Sequence, residues 1–286
     1  MSAERPALFP PFSPMPPTVR VGSVNVVPLS ENELIRQVEH SWQRGIGGWI
    51  VTANVDIVRA AARDSALSAL VAEADVVVAD GMPVVWAARI AGKRVPERVT
   101  GASLVYSLTE AAARKGKSVY LLGGEPGVPD AAAQTLRARF DGLTVAGTHS
   151  PPFGFEKTEQ GLENVIRLVE EAKPDLVLVG LGFPKQEKTI RRLRTVLPDS
   201  WYVGVGAGIP MAAGEFTRAP AVVQRMGAEW LHRLALEPQR LARRYLLHDA
   251  PFALRLLAGA ARHRMVQRNS RPVTGSPRPE IVNENA

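Results

Sequence analysis

The sequence contains no cysteine, only five histidines and an aromatic fraction of 6%. With no thiol, disulfide scaffolding, thiolate nucleophiles and thiolate ligation of zinc or iron–sulfur clusters are excluded. His149 is the only histidine between residues 41 and 231, and neither His-Glu-x-x-His nor Asp-x-Asp occurs, so no protein-held catalytic metal and no other cofactor is expected. A Gly-x-Ser-x-Gly hydrolase elbow is missing as well. No stretch approaches the roughly 18 uninterrupted apolar residues of a membrane span. Met1 to Arg20 reads MSAERPALFPPFSPMPPTVR, with six prolines and without the charged start and apolar run of a secretory signal. These absences leave the expectation of a soluble or peripheral protein that works through carboxylates.

The 286 residues, 45% hydrophobic, suffice to bury a core as one large or two small domains. The net charge of +7 is uneven. Residues 1–20 carry +1 and residues 21–224 balance at zero, whereas residues 225–268 hold nine arginines, no lysine and three acids, and the tail 269–286 is neutral. Guanidinium binds phosphate bidentately, so a lysine-free basic segment points to a phosphate partner or, equally, to a solvated helical face.

Proline-rich residues 1–20 and the tail 269–286 lack periodicity and read as disordered or extended arms. Between them, apolar runs rich in β-branched residues fall at 24–27, 49–52, 75–79, 118–122, 143–148, 175–180 and 201–205. Helical patterns fill the gaps at about 31–44, 54–72, 83–91, 102–115, 129–140, 157–172 and 185–197. Strands apolar along their whole length suit a parallel sheet covered on both faces, so residues 21–224 are expected to form a doubly wound α/β core. Beyond Pro220 three amphipathic, arginine-bearing helices are expected at 220–236, 239–248 and 252–268, broken by Pro238 and Pro251. Residues 225–268 thus form a basic helical appendage that packs on the sheet domain, lies on an anionic membrane or pairs with another subunit.

Ligands of doubly wound sheets bind outside the carboxyl ends of the strands. Those ends read Thr52-Ala-Asn54-Val-Asp56, Asp80-Gly-Met-Pro83, Gly123-Gly-Glu-Pro-Gly127, Gly182-Phe-Pro-Lys-Gln-Glu187 and Gly204-Val-Gly-Ala-Gly208. Gly123 and Gly124 lead from a strand into a helix, where free amides hold a diphosphate or simply make a turn. Neither they nor Gly204 to Gly208 match the Gly-x-Gly-x-x-Gly spacing of dinucleotide enzymes. Asp80 ends an apolar strand and precedes a glycine; it is either a general base on a rigid scaffold or the cap of the helix near Pro83. Thr52 and Asn54 bind a hydroxyl or serve as turn and cap, Arg98 is a lone loop cation, and Gln186 binds substrate or faces solvent.

Taken in order, these loops resemble the WecG/TagA/CpsF family of bacterial glycosyltransferases. The matching pieces are Thr52-Ala-Asn54, Ala79-Asp-Gly-Met-Pro83, Glu97-Arg-Val-Thr-Gly101, Leu121-Leu-Gly-Gly124, Pro151-Pro-Phe-Gly-Phe155, Gly180-Leu-Gly-Phe-Pro-Lys-Gln-Glu187, Gly204-Val-Gly-Ala-Gly208, Ala213-Gly214 and Arg218-Ala-Pro220. The resemblance implies a Rossmann-like, inverting enzyme that moves a sugar from a nucleotide donor to a polyprenyl-diphosphate-linked sugar at the cytoplasmic face of the inner membrane, as a peripheral protein. It places the base at Asp80, the acceptor pocket at Thr52 and Asn54, and substrate contacts at Arg98 and Gln186. Where relatives often carry an acid after the Thr-Gly step, this chain has Ala102-Ser103-Leu104.

The donor diphosphate then falls to Gly123, Gly124 and Gly206 and to Arg233, Arg240 and Arg243 or Arg244, spaced as on one helical face. Relatives differ in donor among N-acetylmannosamine, its uronic acid, glucose and others; the Arg98-Val-Thr-Gly and Phe-Pro-Lys-Gln segments look like those of xanthan-type members, a resemblance that implies UDP-glucose with a glucosyl-diphosphate lipid. Trp230 and Leu234 serve the appendage or a homo-oligomer contact. The α/β plan alone also permits an NAD(P)-dependent oxidoreductase, against which the missing fingerprint counts. Nucleic acid is not expected, since the core is neutral and no aromatic cluster offers stacking.

Overall fold

A computed structural model describes residues 16–215, 234 and 249–269. The chain opens with a hairpin of β1 (Val19–Val21) and β2 (Val24–Val26), antiparallel, with Val21 opposite Val24. Helix α1 (Glu31–Gln43) follows, started by a Ser30–Glu33 capping box. Six parallel strands then form one sheet: β3 (Gly48–Ala53), β4 (Val76–Ala79), β5 (Ser118–Gly123), β6 (Thr144–His149), β7 (Leu176–Gly180) and β8 (Trp201–Gly204), in the order β4-β3-β8-β7-β5-β6. Between them run α2 (Val55–Arg63), α3 (Ser65–Ala72), α4 (Met82–Ile90), α5 (Gly101–Arg114), α6 (Val128–Arg139), a 3-10 turn (Phe155–Lys157), α7 (Glu159–Ala172) and α8 (Lys185–Val196). The short α9 (Gly208–Ala212) follows β8, and α10 (Ala250–Asn269) is the last element described.

The sheet is apolar on both faces because its residues alternate between two cores. Trp49, Val51, Tyr120, Leu122, Val177, Val179 and Tyr202 pack on one face with α2, α3, α4, α7, α8 and α10. Ile50, Val119, Leu121, Leu176, Leu178, Trp201 and Val203 pack on the other with α1, α5, α6 and α9. The architecture is the doubly wound α/β plan that the strand pattern predicts.

Three expectations change. The run at 24–27 belongs to the hairpin, not to the sheet, and β1 takes up the last residues of the expected arm at 1–20. The helix expected over 54–72 is two helices, because Asp64 ends α2 and its Oδ1 accepts from Ala66 N and Leu67 N to begin α3. The helix expected at 252–268 begins at Ala250, with Pro251 in its first turn, where a missing N–H costs nothing. The helices expected at 220–236 and 239–248 lie outside the described residues, apart from Leu234.

Helix α10 ties the C-terminal segment to the elements that carry Asp80 and Asn54. Leu256 is buried, and Phe252, Leu257 and Ala260 pack with it against the core beside α4 and α2. Arg59 of α2 pairs with Asp249 at 3.3 Å, and Arg264 donates to the Ile90 carbonyl at the end of α4.

Candidate active site

Strands β4, β3, β8 and β7 lie side by side, so their carboxyl ends form one continuous edge. At the first of them Asp80 N donates to Ala53 O at 2.9 Å, which fixes the aspartate backbone to the end of β3. Val99 N donates to Ala79 O at 2.9 Å, so Arg98 runs past the end of β4 beside Asp80. Gly101 then meets β8, where a Cβ would lie 2.9 Å from Val205 Cα. The structure therefore brings Asp80 and the Arg98 loop together at the mouth of the sheet. The cap of α4 is Gly81, not Asp80, whose carboxylate stands one residue before it.

Thr52 and Asn54 arrive from β3, but their polar atoms are already engaged. The Thr52 hydroxyl is buried and donates to Gly204 O at 3.2 Å. Asn54 Oδ1 accepts from Ile57 N at 3.0 Å, capping α2. Its amide nitrogen is the end that the cap leaves to other contacts.

Gln186 does not face solvent. It is buried in the first turn of α8, its Oε1 accepting from Gly182 N at 3.2 Å and its Nε2 donating to Glu187 Oε1 at 2.9 Å. Both side chains lie against Gly204, whose missing Cβ would sit 2.4 Å from Gln186 Nε2 and 3.2 Å from Glu187 Oε1. The residue types alone give Glu187 no role. The signal that finds it is its helical spacing to Ile190 and Leu193, which sets it on the buried face of α8.

Further along the edge the strand ends are bare backbone. A Cβ on Gly123 would lie 2.5 Å from Gly180 O, and one on Gly180 would lie 2.8 Å from Gly206 O. The β5 connection runs one way to β6 and the β7 connection the other way to β8, so Gly123 and Gly180 flank the topological switch point. Gly124 sits in the same loop and accepts from Ser150 Oγ at 2.6 Å through its carbonyl. At the opposite ends of β5 and β7, Asp175 Oδ2 accepts from Ser118 N at 2.8 Å, so side chains pin the strands there and leave the carboxyl edge open. The arginines proposed for the diphosphate, Arg233, Arg240, Arg243 and Arg244, lie outside the described residues. Among the described residues no three His, Asp or Glu side chains are grouped as a cation site.

The profile of the glycosyl transferase WecG/TagA/CpsF family matches residues 19–266, which takes in every element of this edge. The chain belongs to the WecG/TagA/CpsF family of glycosyltransferases. Similar relatives are N-acetylglucosaminyldiphosphoundecaprenol N-acetyl-beta-D-mannosaminyltransferases. That of Bacillus spizizenii is 30% identical over 224 residues, 77% of this chain and 85% of the relative. That of Staphylococcus aureus is 32% identical over 214 residues (75% and 81%), and that of Bacillus subtilis 29% over 219 residues (77% and 82%).

In this glycosyltransferase Ser103 closes a capping box. Its N–H donates to Thr100 Oγ1 at 3.0 Å while its own Oγ accepts from Thr100 N at 3.3 Å, the work an acid does at that position in the usual box. Ser103 thus helps to start α5 without a charge.

The buried carboxyl of Glu187 gives the transferase a pH-dependent stability. Desolvation pushes its pKa up to about 7 from an unfolded value of 4.5, against the smaller opposing effect of the Gln186 hydrogen bond. The folded chain keeps a proton that the unfolded chain releases between those values, so stability falls as pH rises from about 4.5 to about 7. The full loss, reached above pH 7, is on the order of 3 kcal/mol. Glu187→Gln removes this titration. Thermal melts at pH 5 and pH 8 should show the variant gaining on the parent by about 2 kcal/mol over that range.

Proposed function

We propose that this enzyme moves a sugar from a UDP-sugar onto a polyprenyl-diphosphate-linked sugar, with inversion, in the assembly of a cell-surface polysaccharide. Asp80 is its general base. The observation that carries this reading is the fixing of Asp80 at the end of β4, between the Thr52-to-Asn54 segment and the Arg98 loop. Asp80 takes the proton of the acceptor hydroxyl as that oxygen bonds to the anomeric carbon, and the bond from that carbon to the nucleotide diphosphate breaks on the opposite face. Backbone at the Gly123–Gly180 crevice supports close approach of the leaving diphosphate, and Arg233, Arg240 and Arg243 or Arg244 supply its counter-charge in place of a metal.

The relatives' names make diphosphoundecaprenol-linked N-acetylglucosamine the first acceptor to test and N-acetylmannosamine the first sugar. The Arg98 and Phe183 segments keep glucose as the second. The enzyme works at the cytoplasmic face of the inner membrane as a peripheral protein. Among the described residues no helix is long and apolar enough to cross a membrane. Helix α10 presents Leu254, Arg255, Arg262 and Met265 as an exposed, basic and partly apolar surface, which suits anionic lipid.

Radiolabelled UDP-N-acetylmannosamine, UDP-glucose and GDP-sugars, each offered with both lipid acceptors, test the reading. Transfer from a UDP-sugar and cosedimentation with anionic but not neutral liposomes are expected. Stabilisation by NADH, with no transfer from any nucleotide sugar, would overturn it.

A further inference from the structure

Glu187 is a carboxyl that packing does not call for. It is 0% exposed, one oxygen is bound by Gln186, and Oε2 has no hydrogen-bond partner. A methionine of similar volume would fill this space without the cost of a buried acid. A side chain that costs stability at the wall of a site is a functional candidate, and its bonds show through what it acts.

The Gln186 amide is held at both ends. Its oxygen accepts from Gly182 N, and its nitrogen is turned toward Glu187 Oε1. An amide alone is nearly symmetric and can sit either way round. A carboxyl oxygen accepts in both protonation states, so Glu187 selects the orientation in which the Gln186 oxygen faces Gly182. Gly182 has φ +77° with open space where a Cβ would lie, and it belongs to the loop leaving β7 at the substrate edge. Gly204 completes the unit, since only glycine leaves room for the two side chains and its carbonyl takes the Thr52 hydroxyl.

We propose that Glu187 is a positioning residue for sugar transfer: by orienting the Gln186 amide it holds the Gly182 loop and Gln186 in the geometry that meets substrate. This rests on the transferase reading above. In the full-length enzyme, Glu187→Met should lower kcat/KM about 10- to 100-fold, because it leaves the Gln186 N–H without its acceptor. Relief of the buried carboxyl offsets the cost of that orphaned donor and keeps the melting temperature near the parent's. Glu187→Gln, which restores an acceptor oxygen, should stay within about threefold of the parent. The double variant Gln186→Leu/Glu187→Met should be no worse than Gln186→Leu alone, since both losses run through one amide.

Hydrogen exchange gives a readout separate from activity. The Gly182 amide should exchange faster in Glu187→Met and unchanged in Glu187→Gln. Near-parental kcat/KM in Glu187→Met, multiplied losses in the double variant, or a loss beyond tenfold in a stably folded Glu187→Gln would each overturn the proposal. A parent inactive with every donor would sink the transferase reading instead, and the exchange at Gly182 would still decide the role of Glu187.

Discussion

Asp80→Asn should lower turnover by about 10²- to 10⁴-fold, the range a positioned general base supplies, while donor and acceptor KM change little. Asparagine matches the shape of aspartate and keeps the backbone bond from residue 80 to Ala53 O. What disappears is the basic carboxylate oxygen that takes the hydroxyl proton in the transition state, since an amide oxygen is too weak a base to do so. A fall in kcat with KM preserved is the signature of an interaction made only there. Steady-state rates with saturating acceptor check this. Turnover within threefold of the parent removes Asp80 from the role and shifts attention to acids outside the described residues.

The α/β plan was legible because, with the partly polar, half-buried edge strand β6 as the exception, the sheet strands are apolar along nearly their whole length, as Val76-Val-Val-Ala79 and Leu176-Val-Leu-Val-Gly180 are. Only a strand covered on both faces can afford that. The hairpin carries the opposite pattern. Val19-Arg-Val and Val24-Asn-Val alternate buried valine with exposed polar residues around a two-residue Gly22-Ser23 turn, which marks an antiparallel pair with one wet face. Grouping 24–27 with the sheet missed that difference.

The mouth of the sheet was legible in position but not in bonding. Thr52, Asn54 and Asp80 stand where strand ends were expected and the loop cation Arg98 runs past them, yet nothing in the residues says that the Thr52 hydroxyl is spent on Gly204. Gln186 shows the limit most clearly. Two polar residues at the start of a helix, followed by lysine, read as solvated, and only the bare Cα of Gly204 makes the cavity that takes them in. That contact joins positions 18 residues apart and leaves no local pattern.

Gly123→Ala should be the most damaging small substitution at the substrate edge. Gly123 has φ +115°, a region that costs a side-chain-bearing residue about 1–3 kcal/mol. Its added methyl would stand 2.5 Å from the Gly180 oxygen and 2.7 Å from the Gly180 carbonyl carbon. Both are backbone atoms, and Gly123 and Gly180 are paired in the β5–β7 ladder, so neither can yield without parting the strands. Forced overpacking adds about 1–3 kcal/mol, and a fall in melting temperature on the order of 10 °C is expected in sum. Gly127→Ala separates the two contributions: its φ of +85° is also unfavourable, but no atom lies within 4 Å of the new methyl. It should therefore lose only the conformational part and keep donor affinity, whereas any folded Gly123→Ala should bind UDP-sugar weakly because the β5–β7 crevice has been wedged. Equal melting of the two variants would show that the strand ends are looser than this contact requires, and normal donor binding by Gly123→Ala would move the diphosphate away from the switch point.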